Sequence, residues 1–91
     1  MRIRPEHVEA ARALVKMSQA ELANACGLSE GSIRYFETQT RKLSDASLYR
    51  IQLALEQCGI EFLNSGRPGV RYHPDRDRRR LTRAESAKPV E

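Results

Sequence analysis

The sequence predicts a mainly α fold, a compact bundle of four to five short helices finished by a short C-terminal β-strand pair or hairpin. Three observations carry this. Helix-start signals recur at Ser18, Ser29 and Ser44, each followed by apolar residues at helical spacing. After Gly59 the apolar period changes from helical to alternating. Ninety-one residues with 40% hydrophobic content and no Trp allow one small core.

The elements follow in order. Pro5 suits the first position of a helix, where its missing N–H is no loss, and Val8, Ala11, Leu14 and Val15 then share a face up to about Lys16. Ser18 with Glu21 three residues later is a capping box, opening a second helix with Leu22, Ala23 and Cys26 inward. Gly27 ends it, in the left-handed conformation expected of a glycine at a helix C-terminus. Ser29 caps a third helix over about residues 29–37, with Ile33 and Phe36 inward. After the polar loop "TQTRKLS", Ser44 caps a fourth with Leu48, Ile51, Ala54 and Leu55 in its stripe, and Gly59 is read as its stop. Ile60 and Phe62 alternate with Glu61, Val70 and Tyr72 with Arg71, and "NSGRPG" supplies turn residues between them, so residues 60–73 read as the strand pair. From Pro74 the chain is dominated by Arg, Asp and Glu, with little apolar surface to offset ordering entropy; 74–91 is expected to be a flexible charged tail.

Composition excludes several classes. The N-terminal "MRIRPEHVEA" has no apolar signal-peptide region, and no run reaches the ~20 apolar residues of a membrane helix, so a cytoplasmic, nucleoid-associated protein is expected. Cys26 and Cys58 lack paired spacing, which fits a reducing compartment. With His7 and His73 they form no metal-ligand pattern, and no catalytic grouping or phosphate loop stands out; no metal, cofactor or enzymatic activity is expected. The net charge of +4 and pI of about 9.5 favour a polyanionic partner.

Two short helices joined by a tight glycine turn form a helix-turn-helix unit. The turn is too short for antiparallel packing, so the helices cross at a wide angle, with small Ala23 at their approach and Leu28 and Ile33 filling the angle. The third helix then protrudes, as needed to enter a major groove about 12 Å wide. The stretch "SQAELANACGLSEGSIRYFE" resembles the XRE, or Cro and phage-repressor, family of helix-turn-helix regulators. That family carries the pattern S-Q-x-x-L-A-x-x-x-G-(V/L)-S-x-x-x-I-x-x-x-E, matched here by Ser18, Gln19, Leu22, Ala23, Gly27, Leu28, Ser29, Ile33 and Glu37. The resemblance covers roughly residues 5–58. "GIEFLNSGRPGVRY" further resembles the ending of short members in which a strand replaces the last helix. One departure is Thr38-Gln39-Thr40 where the family often has an Asn-Gly turn, so a longer or differently shaped exit from the third helix is expected.

The resemblance implies double-stranded DNA as partner, with Gln19 and the start of the second helix facing a phosphate; the free N–H groups and positive dipole end of a helix N-terminus suit that role. Ser29 is either a phosphate contact or purely a cap, and Ser32 is structural or a phosphate neighbour. Arg34 is the leading candidate for base readout, since a guanidinium pairs bidentately with guanine O6 and N7, against a phosphate contact or a solvated charge. Glu30 is a candidate for cytosine, against a role at the helix N-terminus, and Tyr35 for a phosphate or a thymine methyl. Arg41 and Lys42 follow where backbone phosphates would pass, with Arg2 and Arg4 as further contributors near the first helix.

The function expected is a sequence-specific transcriptional regulator, a homodimer on a palindromic operator, with Ile60, Phe62, Val70 and Tyr72 as the dimer surface. The competing reading is a protein-binding antiactivator or antitoxin-like module on the same fold, its partner captured by the C-terminal tail. The cations Arg34, Arg41 and Lys42 favour DNA.

Overall fold

A computed structural model describes residues 2–63 and 67–79. The order is α1 (Pro5–Val15), α2 (Gln19–Cys26), α3 (Glu30–Glu37), α4 (Asp45–Gln57), β1 (Cys58–Leu63) and β2 (Gly69–Asp77). Among the described residues there are thus four helices, with the hairpin following the fourth.

Local chemistry sets the helix ends. At α1 the backbone N–H of Arg4 donates to Nδ1 of His7 at 3.0 Å, an imidazole doing the return half of a capping box. Lys16 closes α1 in the left-handed region, and Met17 N–H reaches the Arg12 carbonyl at 2.9 Å. At α2 the Glu21 N–H donates to Ser18 Oγ at 3.0 Å while the Ser18 N–H donates to Glu21 Oε1 at 2.8 Å. Ser29 and Ser44 accept from the N–H groups of Ser32 and Ser47. Gly27 has φ +72°, and the Leu28 N–H caps the Ala23 carbonyl at 3.0 Å.

The core gathers one stripe from each helix: Val8, Ala11 and Val15; Leu22, Ala23 and Cys26; Ile33 and Phe36; Leu48, Ile51, Ala54 and Leu55. Ile3, Met17, Cys58 and Ile60 complete it. Leu14 departs from expectation. It is 45% exposed, because Ala11 and Val15 take the inward direction and leave it on the flank of α1.

The strands are antiparallel, pairing Ile60 with Tyr72, Glu61 with Arg71, Phe62 with Val70 and Leu63 with Gly69. Glu61 accepts from His73 across the hairpin at 2.7 Å, an arrangement that lowers its pKa. One expectation is met here and one changes. Helix α4 ends at Gln57 with Cys58 as its cap, and Gly59 follows with positive φ in the place of a helix-stop glycine while also lying within β1. It sits at a register shift with φ +92°, where a methyl group would overlap the His73 carbonyl oxygen.

The change is that β2 runs past residue 73 to Asp77, which pairs with Cys58. Asp77 is fully buried and accepts from the Tyr72 hydroxyl at 2.7 Å and from Arg79 Nη2 at 2.9 Å. Arg79 Nη2 also donates to the Val15 carbonyl at 3.1 Å, joining the end of the hairpin to the end of α1. The remainder of the expected tail, residues 80–91, lies outside the described residues.

Candidate nucleic-acid interface

Helix α3 is fixed by its inner face. Ile33 and Phe36 enter the core, and Glu37, the last residue of α3, is buried beside them. A carboxylate in that position needs compensation. Arg12 of α1 supplies it through Nε and Nη2, each donating to Glu37 at 2.6 Å, and Gln19 Nε2 adds a third bond at 3.0 Å. The hydrogen bond with Glu37 holds the Arg12 pKa above its ordinary value despite opposing desolvation. Arg12 Nη1 also donates to the Met17 carbonyl at 3.0 Å. One ionic group therefore sets α1, the start of α2 and the end of α3 relative to one another. Sequence reasoning did not find it, although a carboxylate on the Ile33–Phe36 face is the signal that a cation must come from elsewhere.

The opposite face of α3 is free. Glu30, Arg34 and Tyr35 are exposed, Tyr35 to 40%. The Arg34 guanidinium carbon lies 5.3 Å from the centre of the Tyr35 ring, and that of Arg41 lies 5.3 Å from the same ring. Tyr35 thus has two guanidinium groups over its ring, each contact worth about 0.5–1 kcal/mol at an exposed site. Backbone geometry brings Arg41 there. The N–H groups of Thr40 and Arg41 both donate to the Tyr35 carbonyl, at 2.8 and 3.2 Å, and Gln39 adopts φ +62° to let the chain turn. Gln39 provides the left-handed residue that an Asn-Gly turn would. The hydroxyl of Thr38 donates back to the Arg34 carbonyl at 3.0 Å.

The other candidates are placed as follows. Gln19 is half-buried, with its side-chain amide committed to Glu37. Ser29 Oγ accepts from the Ser32 N–H at 3.1 Å and shares a 2.8 Å bond with the Ser32 hydroxyl, so both work in the α3 cap. Lys42 is exposed beside Arg41. Of the four residues expected at a dimer surface, Ile60 is in the core, and Phe62, Val70 and Tyr72 are half-buried and pack against it. They lie on the hairpin, which packs on α1 and α4, and not with the α3 cluster.

Both thiols are buried, and desolvation pushes their pKa values up, which leaves them poor nucleophiles. Among the described residues no helix is long and apolar enough to cross a membrane, and no three metal-ligating side chains come together.

The outward cationic-aromatic face, on the second helix of a pair joined at Gly27, is an arrangement suited to a polyanionic groove. A search of curated proteins finds no match to the chain. A family model described as Helix-turn-helix matches residues 8–63, from within α1 to the end of β1. The chain belongs to the XRE-type helix-turn-helix family of DNA-binding regulators.

Proposed function

We propose that the protein is a homodimeric, sequence-specific transcriptional regulator that reads a palindromic operator through α3. The observation that carries this reading is the Arg34–Tyr35–Arg41 cluster, exposed on the face of α3 opposite its buried anchors. Arg34 reads guanine, Tyr35 contacts a thymine methyl or a phosphate, and Glu30, one turn earlier on α3, accepts from a cytosine amino group. Arg41 and Lys42, with Ser29, Ser32 and Gln19 at the starts of α3 and α2, hold the phosphates. One short helix contacts few base pairs, so two protomers are needed, their half-sites roughly 34 Å apart. Ile60 lies in the protomer's own core while Phe62, Val70 and Tyr72 are half-buried, so the hairpin can offer a twin their remaining apolar surface together with its backbone edge.

Selection of bound duplexes from random DNA, with mass determination of the complex, tests both parts. Two protomers on one palindrome are expected; one protomer on a single half-site defeats the dimer. On the selected site, Arg34→Ala is expected to reduce discrimination against a changed guanine by about 1–3 kcal/mol, and Lys42→Ala to weaken all duplexes and flatten the salt slope by about one unit. Equal preferences in Arg34→Ala and the parent would remove base reading by Arg34.

A protein-binding role on the same fold draws support from Tyr49 and Leu53. They are 62% and 40% exposed one turn apart on α4, an apolar pair of the kind a partner helix covers. A selection that returns no duplex would favour that role.

A further inference from the structure

Gly31 is the second residue of α3, and nothing inside the protein accounts for a glycine there. Its backbone is helical and not left-handed, so the conformation suits any residue. A methyl group built on its Cα would meet Tyr35 Cε2 at 3.7 Å, Arg34 Nη2 at 3.8 Å and Ser29 Oγ at 4.0 Å. These are ordinary van der Waals separations, and none involves a core side chain. Alanine would therefore fit, and it would favour the helix, because glycine loses more backbone freedom on folding. The fold bears a cost at this position for which its own packing gives no reason.

The missing side chain leaves a notch walled by the outward groups of α3. Two of its neighbours, Arg34 and Tyr35, belong to the exposed cationic-aromatic cluster, and the third is the α3 cap. The notch takes one methyl group and has an aromatic edge on one side. In the major groove the apolar group that matches is the C5-methyl of thymine. We infer that Gly31 is a specificity-determining residue, whose absent side chain admits a thymine methyl against the ring edge of Tyr35. The 3.8 Å from the notch to Arg34 Nη2 is close to the rise of about 3.4 Å between successive bases. The thymine is accordingly the neighbour of the guanine read by Arg34. This inference rests on the reading of α3 as the DNA-reading helix, and it adds a base contact that depends on a side chain not being there.

The test uses the full chain and a duplex that it selects from random DNA. Each thymine of the site is replaced in turn by deoxyuridine, which removes the C5-methyl and keeps every hydrogen-bonding group. In the parent, the replacement beside the guanine assigned to Arg34 is expected to weaken binding about fourfold, the effect of one buried methyl group. Gly31→Ala is expected to melt at a higher temperature than the parent. It should nevertheless bind the thymine duplex at least about fivefold more weakly, because its methyl overfills the notch. It should also prefer the deoxyuridine duplex to the thymine one, the reverse of the parent, an inversion that a merely structural glycine does not produce. A parent indifferent to every deoxyuridine overturns the inference and leaves guanine reading by Arg34 standing. Equal weakening of Gly31→Ala on both duplexes makes the glycine a place of close backbone approach and overturns the thymine assignment. A variant that melts lower shows that the fold itself needs the glycine, and one that binds as the parent does shows an empty notch; either result overturns the inference. A parent that binds no duplex overturns both readings together.

Discussion

Glu37 is a buried charge on which three helices depend. Its carboxylate is 8% exposed and carries three donated hydrogen bonds from two other helices. Removing it strands the Arg12 guanidinium and one Gln19 donor, so Glu37→Ala is expected to destabilise by about 3–5 kcal/mol in urea unfolding followed by circular dichroism. Replacing Arg12 and Glu37 together by Leu should recover a substantial part of that loss, because the cost lies in the unpaired charge. The outward direction of Arg34 and Tyr35 could be read from the sequence, since once Ile33 and Phe36 face inward the helical period leaves them nowhere else to point. The Arg12–Glu37 pair could not, because its partners are 25 residues apart and nothing local relates them. The alternation of Ile60, Phe62, Val70 and Tyr72 says that one face of the hairpin is covered. It does not say whether the cover is the protomer's own helices or a twin, and within the protomer only Ile60 is fully covered while Phe62, Val70 and Tyr72 stay half-buried.

Elements show the same division between local and distant causes. The caps at Ser18, Ser29 and Ser44 all form as their sequences indicate, because a cap involves only four consecutive residues. Gly59 has both a local and a distant cause. A glycine after an apolar helical stripe reads as a stop, and its positive φ just past the α4 cap agrees, while a second constraint comes from the strand paired with it, whose His73 carbonyl occupies the space of a Cβ. Gly59→Ala combines a left-handed backbone with that overlap against main chain and is expected to lower stability by about 2 kcal/mol or more. Gly69→Ala is the matched control. No atom lies within 4 Å of its would-be methyl, so thermal unfolding should move little. The end of β2 was hidden by composition: Pro74, Asp75 and Arg76 read as tail, and only the irregular register opposite Gly59 accommodates them in the sheet.

On the scale of the whole molecule, Asp77 contributes to the acid limb of stability. Burial alone would raise its pKa, but hydrogen bonds from Arg79 and Tyr72 and the charge of Arg79 prevail and lower it to about 2. The folded value lies below the ~3.9 of an unfolded aspartate, so the contribution is complete above about pH 4 and is lost as pH falls through about 2. Its size is about 2 kcal/mol. Urea midpoints measured between pH 5 and pH 2 should fall in the parent, and the fall should be shallower in Asp77→Asn, which begins from lower stability at neutral pH.

The bond from Arg79 to the Val15 carbonyl spans 64 positions of sequence. A nascent chain can make each helix as it emerges, but this latch waits until residue 79 has cleared the exit tunnel. The latch therefore closes after all four helices have emerged.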